Sequence, residues 1–212
     1  MTIISALNKL LIEIDKGLKT LTVPPTAKRV RPDLNVSQQD SLSPSERKIN
    51  SQYMRVNHAG EICAQALYRG QLFFNKNSEI KEKLEKAADE ELDHLAWCDE
   101  RIKELGGSKS KLNPLLYSSS FLLGAFTSII DEKYNLGFLA ETEKQVSRHL
   151  SSHLTRIDKN DKKTIKIIET MKADEEEHAN SALQMGAKNL PPTIKKIMGN
   201  ASKVMTKTTF YI

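Results

Sequence analysis

Glu91-Leu92-Asp93-His94 and Glu175-Glu176-Glu177-His178 each put a carboxylate and an imidazole three residues apart, on one face of a helix. Around the second pair, Ile168, Met171, Glu175, His178, Ala182 and Met185 recur at spacings of three and four, the rhythm of a core-facing stripe. Around the first, Ile80, Leu84, Ala87, Glu91, His94, Cys98, Ile102 and Leu105 form one continuous stripe of the same kind. Both pairs therefore interrupt apolar seams. A carboxylate buried without a partner shifts its pKa and neutralises, so a helix rarely carries one in its core uncompensated. A single Glu-x-x-His is most often a solvated helix face. Two copies on core stripes ask instead for a pair of metal ions.

Two further stripes complete the pattern. Met54, His58, Glu61, Ala64, Tyr68 and Leu72 share a face, and so do Leu136, Ala140, Glu143, Val146, Leu150, His153 and Ile157. Each carries one carboxylate, Glu61 and Glu143. Four helices thus present Glu61, then Glu91 with His94, then Glu143, then Glu175 with His178. That is the ligand order of a ferritin-like di-iron carboxylate bundle. Four carboxylates balance two divalent cations, Glu91 and Glu175 are placed to bridge both, and the two imidazoles preserve a preference for iron or manganese; zinc and copper would bind, but such a cage meets their tetrahedral or planar demands poorly. A reduced di-iron site with open positions suits O2 activation.

At 212 residues with 39% hydrophobic side chains, the chain has length for one sizeable core. Strand signals are scarce and Leu, Lys, Glu and Ala dominate long stretches free of Gly and Pro, so the class is all-α. Cys63 and Cys98 stand in no metal or redox spacing, which suits a reducing compartment and free thiols. Residues 1–50 carry 8 basic and 5 acidic side chains, residues 188–212 carry 5 and 0, and the middle carries 19 and 22. A basic fringe on an acidic centre fits an anionic membrane surface or RNA. Asn8, Lys9, Glu13 and Asp15 break up the N-terminal apolar residues, so no signal peptide is expected.

In chain order, three units are expected: residues 1–42, an N-terminal amphipathic helix and basic linker; 43–190, the bundle; 191–212, a basic amphipathic C-terminal helix. Ile3, Leu7, Leu10, Leu11, Ile14, Leu18 and Leu21 give the first helix its apolar face, and Pro24-Pro25 end it. The stretch from there to Leu42 reads as a surface linker or arm. Ser43-Pro44-Ser45-Glu46 offers an N-cap, a proline at the first helical position and a capping-box Glu for a long helix reaching about Asn75. Ser78 is expected to cap the second helix, which closes at Gly106-Gly107. Leu112 to Ile130 holds no charge over 19 residues, yet Pro114, Ser118, Ser119, Ser120 and Gly124 make it a buried or interfacial segment rather than a membrane span. The fourth helix is expected to run to about Asn189, before Pro191-Pro192.

Other residues carry plainer readings. His58 and His149 are candidates for orienting ligand carboxylates or for hydrogen-bonded packing; His153 is not counted as a ligand. Tyr68 is a core tyrosine or a donor to the oxygen site, Cys98 is packing, and Asp93, Glu176 and Glu177 are expected to face solvent or partners just outside the ligands.

MRVNHAGEICAQALYRGQ at 54–71, EELDH at 90–94, ETEKQVSRHLSSHL at 141–154 and DEEEH at 174–178 closely resemble the bacterial demethoxyubiquinone hydroxylase family. The resemblance spans about residues 40–190, and the NHAGE run is its most specific part. It implies a ferritin-like protein, peripheral on the cytoplasmic face of the bacterial inner membrane, that hydroxylates a polyprenyl methoxy-benzoquinol late in ubiquinone synthesis with O2 and two Fe ions per chain. An external reductant of unknown identity would be needed. The implied partners are the polyprenyl quinol, the inner-membrane lipid surface and other ubiquinone-biosynthesis proteins, with no nucleic acid. The family's ligand positions fall on Glu61, Glu91, His94, Glu143, Glu175 and His178, with Glu143 rather than Glu141 taken in ETEKQ. Two alternatives stand beside it: an iron-storage ferroxidase, which needs a cage-forming surface, and a di-iron tRNA hydroxylase, which would use the basic termini on phosphates.

Overall fold

The computed structural model describes residues 3–37 and 42–212, with side chains from Leu7 onward. Its helices are α1 (Ile3–Thr22), α2 (Pro44–Phe74), α3 (Ser78–Glu104), α4 (Asn113–Ile130), α5 (Glu132–Leu154), α6 (Lys162–Gln184) and α7 (Pro192–Tyr211), with no strand among the described residues. α2, α3, α5 and α6 form the ferritin-like bundle, pairing α2 with α3 and α5 with α6. The connections within those pairs are short, so the partners run antiparallel, while the α3–α5 crossover carries α4 along the outside of α2.

Local chemistry sets most of the boundaries. Ser43 accepts from the Glu46 N–H, Glu46 returns a bond to the Ser43 N–H, and Pro44 follows, so the capping box forms at the start of α2. α3 departs from expectation by one residue: Asn77, not Ser78, is its cap, accepting from the N–H groups of Glu79 and Ile80. A carboxamide oxygen reaches those donors as well as a hydroxyl does. Gly106 closes the helix at φ +76°. α6 ends at Gln184, short of Asn189, because Gly186 turns left-handed at φ +91° and the Ala187 N–H bonds back to Ala182. Ile157 is buried although α5 has already ended at Leu154.

Two apolar layers occupy the bundle. One gathers Met54, Trp97, Ile102, Leu150, Ile167 and Met171; the other gathers Tyr68, Leu84, Leu136, Leu139 and Ala182. On every bundle helix the candidate ligands fall between these positions, so a polar layer is sandwiched between two greasy ones.

The segments outside the bundle behave differently. α4 packs on α2 at a close crossing, where a Cβ on Gly70 would meet the backbone of Phe121 and Ala125, and one on Gly124 would meet Leu67 O. Its other face leaves Leu115, Leu122, Phe126 and Ile129 exposed. α1 lies inside out. Gly17 sits against Tyr117, Glu13 lies 3.6 Å from Arg69 and Lys9 bonds the Phe73 carbonyl, while Leu7, Leu11, Ile14 and Leu18 face outward. Ile3 of the same stripe lies outside the described side chains. No helix among the described residues is long and apolar enough to cross a membrane.

Residues 25–37, expected as a linker, are pinned to the bundle. Arg31 bonds Asp33, Glu100 and Glu104, Ala27 packs on the apolar core, and Arg29 lies over the Trp97 ring at 4.9 Å. The stretch lacks periodicity because its arginines answer acidic groups on α3 and α6, not because it is loose.

Candidate metal centre

The stripes that carry the six candidate residues turn them all into one layer of the bundle. Glu61, Glu91, His94, Glu143, Glu175 and His178 are each 7% exposed or less. Ligand atoms of Glu61, Glu91, His94 and Glu175 lie within 4.8 Å of one another, and so do those of Glu91, Glu143, Glu175 and His178. The two sets share Glu91 and Glu175. The geometry is therefore of two adjoining four-atom cradles with two common carboxylates.

Both imidazoles present Nδ1 to the centre. His94 Nδ1 is 3.1 Å from Glu91 and 3.4 Å from Glu175, and His178 Nδ1 is 3.0 Å from Glu91. Their Nε2 atoms point outward to carboxylates that the sequence reading missed. His94 Nε2 meets Asp174 at 2.8 Å and His178 Nε2 meets Glu90 at 2.7 Å. Each outer carboxylate immediately precedes a candidate ligand, Asp174 before Glu175 and Glu90 before Glu91, and each serves the histidine of the other helix. The repeated acidic residue at that preceding position in EELDH and DEEEH was the available signal. A carboxylate on Nε2 fixes that nitrogen as an N–H, so that when the imidazole is neutral it is Nδ1 that turns its lone pair inward. Arg29 then reaches over from the N-terminal strap, 2.8 Å from Asp174 and 2.7 Å from Asp93.

The electrostatics record the crowding. Burial first, and then the neighbouring carboxylates, push Glu61 and Glu143 well above the ordinary carboxylate range. Burial acts the same way on Glu91 and Glu175, but the His178 and His94 imidazoles outweigh it and hold both low. Burial opposes a proton on either imidazole, yet the surrounding carboxylates overcome it, raising His94 well above its usual value and His178 to about 12. Within the protein alone, protons supply the positive charge that the acidic cluster demands.

Hydrogen bonds inside the protein do not exhaust these groups. Glu91 Oε1, Glu143 Oε2, both Glu175 oxygens and His178 Nδ1 are buried without a hydrogen-bond partner. Buried polar atoms are nearly always paired, so a cluster of orphans aimed at one point fits a cation. The donor set, carboxylate oxygens with one imidazole per cradle, fits iron or manganese.

The remaining candidates separate from this layer. Tyr68, from the Glu61 stripe, donates its hydroxyl across the bundle to Glu143 Oε1 at 2.8 Å. Cys98 is packed, its Sγ 3.8 Å from Met171 Sδ. His58 Nδ1 accepts from Asn113 Nδ2 at 3.4 Å, and burial lowers its pKa to about 3. His153 Nδ1 donates to Asn57 Oδ1 at 2.7 Å and lies outside both cradles. Asp93 is buried under Arg29, whereas Glu176 and Glu177 face solvent.

A cavity of about 380 Å³ lies against the helices that supply Glu61 and Glu143, with none of the six candidate ligands in its wall. Gly60, Cys63, Ala64 and Leu67 of α2 and Phe138, Thr142, Val146 and His149 of α5 form its inner wall; α4 and α7 close it with Leu116, Leu123, Met198 and Met205. Gly60 stands beside Glu61, and a Cβ there would meet nothing within 4 Å.

Comparison with known proteins agrees over nearly the whole chain. A 3-demethoxyubiquinol 3-hydroxylase of Legionella pneumophila (strain Paris) is 48% identical over 209 residues, covering 98% of each chain. Those of Nitrosospira multiformis and Chromobacterium violaceum are 46% and 45% identical over 206 residues, covering 97% of this chain and 99% and 100% of theirs. The profile of the family described as ubiquinone biosynthesis protein COQ7 matches residues 48–209, which include all six residues of the cluster. The chain belongs to the ubiquinone biosynthesis protein COQ7 family.

Proposed function

We propose that this protein is an O2-dependent hydroxylase of demethoxyubiquinol, a polyprenyl methoxy-benzoquinol, working with two irons per chain. The observation that carries the reading is the pair of cradles with orphaned ligand atoms, set beside an apolar cavity. Glu61, Glu91, His94 and Glu175 would hold one iron and Glu91, Glu143, Glu175 and His178 the other, with Glu91 and Glu175 common to both. Iron held there supplies the O2-reducing chemistry of the hydroxylation. The names of the relatives favour this activity over iron storage or tRNA modification.

The chain's own groups set the conditions for that chemistry. Asp174 and Glu90 hold the Nε2 protons of His94 and His178, which keeps each Nδ1 directed inward. The Tyr68 hydroxyl occupies Glu143 Oε1 and leaves Oε2 for the centre. The apolar layers above and below exclude water. The cavity wall offers a prenyl chain Leu67, Leu116, Leu123, Met198 and Met205. In the balanced reaction one oxygen atom enters a ring C–H bond and the other leaves as water, consuming two protons and two electrons from an external reductant.

A polyprenyl quinol stays in the bilayer, so the site must come to it. We assign the docking surface to the outward leucines of α1, the exposed face of α4 and Ile197 and Val204 of α7, with lysines on α7 adding attraction to anionic lipid. On this reading the protein works peripherally, on the cytoplasmic face of the inner membrane.

The test is to supply reduced protein and demethoxyubiquinol with isotopically labelled O2. One labelled oxygen in the hydroxylated quinol is the expected result. Label entering only from water, or iron oxidation with a growing mineral and no quinol conversion, would overturn it.

A further inference from the structure

His149 is a buried polar group that the proposed chemistry leaves without work. Neither ring nitrogen has a hydrogen-bond partner and both are shielded from solvent. The ring packs at a 50° tilt against His153, with centroids 4.9 Å apart, and His153 is itself held by Asn57. A buried imidazole with both nitrogens unsatisfied is costly and calls for an explanation.

The ring lines the apolar cavity on the α2 and α5 side, where Thr142, Gln145 and Ser119 are already engaged. Thr142 donates to Phe138 O, Gln145 to Glu141 and Lys195 O, and Ser119 to Leu115 O and Leu116 O. Cys63 is held as a thiol, burial pushing it up to about 11. Burial also lowers His149 to about 4, with the Glu175 charge opposing this only in part, so the imidazole is neutral at neutral pH. A neutral imidazole offers one N–H donor and one bare acceptor nitrogen. A ring hydroxyl both donates and accepts, whereas a quinone carbonyl accepts only. One histidine can therefore pair with an oxygen on the ring in either oxidation state.

We infer that His149 anchors the head of the substrate, hydrogen-bonding one ring oxygen of the quinol at the inner end of the cavity while the prenyl chain runs outward between α4 and α7. The inference rests on the quinol hydroxylation proposed above and adds the residue that orients the ring. His149 acts as a positioning residue: it touches substrate and makes or breaks no covalent bond. Without that hydrogen bond the carbon presented to the centre would no longer be fixed.

The experiment uses the iron-loaded full-length chain with a short-prenyl demethoxyquinol, and measures binding of the oxidised quinone separately by equilibrium dialysis. His149→Phe keeps a flat ring on His153 and removes both nitrogens. It should raise KM and the quinone Kd roughly 10- to 100-fold, the range expected for a lost buried hydrogen bond, with iron content unchanged. His149→Gln, which retains one donor and one acceptor, should recover most of the loss. A merely structural role would instead lower the melting temperature of both variants and leave KM and Kd of the folded protein as they were, which overturns the inference. Wild-type protein that binds and converts the quinol while His149→Phe does so equally well overturns the role of His149 alone. Wild-type protein that takes no quinol overturns the proposed function and this inference together.

Discussion

The centre of the bundle and its outer helices break the same rule in opposite directions. Between the apolar layers the protein buries four carboxylates, and on α1 and α4 it turns leucine, isoleucine and phenylalanine outward. The periodicity is equally clean in both places. The difference is what satisfies each face. In the centre, orphaned oxygens and an orphaned nitrogen from α3, α5 and α6 face one another within clusters whose ligand atoms all lie within 4.8 Å, so the missing partner is small and positive. On the outside, exposed side chains spread over helices that hold on to the bundle through Lys9, Glu13 and Gly17, so the missing partner is broad and apolar. A helical stripe states only that a face wants a partner of a given polarity; it does not state where that partner lies.

The largest effect expected from breaking the central half of the contrast is on metal content. Metal analysis should find about two irons per chain, the number that balances four carboxylates, and Glu91→Ala or Glu175→Ala should lose most of both, because each serves both cradles. Full retention in both variants would falsify the ligand assignment. Removing the metal altogether should lower the melting temperature at neutral pH by roughly 10 °C. A thousandfold excess of free metal over Kd contributes about 4 kcal/mol, and a chain of this size shifts by about 2–4 °C per kcal/mol.

The metal-free protein should also show a pH dependence of a definite sign. Glu61 and Glu143 are raised in the fold from an ordinary 4.5, and His178 is raised from 6.5 to about 12. Folded protein therefore binds more protons than unfolded protein above about pH 5, and stability falls as pH rises. The contribution of His178 is complete below 6.5 and disappears through about 12. Glu91 and Glu175, held low, act only at more acid pH. Melting temperatures of the chelated protein should thus decline between pH 5 and 8, and those of the loaded protein should not follow. A flat apo profile would mean that the cluster is solvated.

A smaller effect should come from the carboxylates one step out. Asp174→Asn or Glu90→Gln leaves every candidate ligand in place and should weaken metal binding by about 10- to 100-fold. Titration with a competing chelator reads this, and unchanged affinity would demote both residues to surface ion pairs. On the outer half of the contrast, Leu11→Glu or Leu122→Glu should reduce sedimentation with anionic liposomes by about tenfold, a leucine transfer being about 1.5–3 kcal/mol. The melting temperature should hardly change, because these side chains touch no core. Loss of folding instead would place them in a protein interior. The smallest effect is Gly60→Ala. With open space around the added Cβ, stability should rise by about 0.5–1 kcal/mol, while the cavity narrows and the quinol KM goes up. A higher stability without any change in KM would separate the cavity from the substrate.

Much of this was legible before any coordinates. The six residues that meet in the centre are found by type, spacing and order, because a core stripe fixes which side of a helix points inward. Capping chemistry located the start of α2 and the end of α3 for the same local reason. The misplaced end of α6 was local as well: Gly186 and Pro191 both signal a stop, and the left-handed glycine acts first.

The sequence alone determined an all-α bundle and the layer at which the six acidic and histidine side chains meet, since periodicity and pairwise spacing are properties of single helices. Only the tertiary structure decided that α1 lies inside out, that Arg29 closes over Asp174, that Glu90 and Asp174 serve the histidines of opposite helices, and that His149 stands unpaired on a cavity wall. Each of those facts joins residues 60 or more positions apart, or depends on what a neighbouring helix leaves unoccupied. Contacts of that kind are set by how whole faces pack together, and no single helix carries that information.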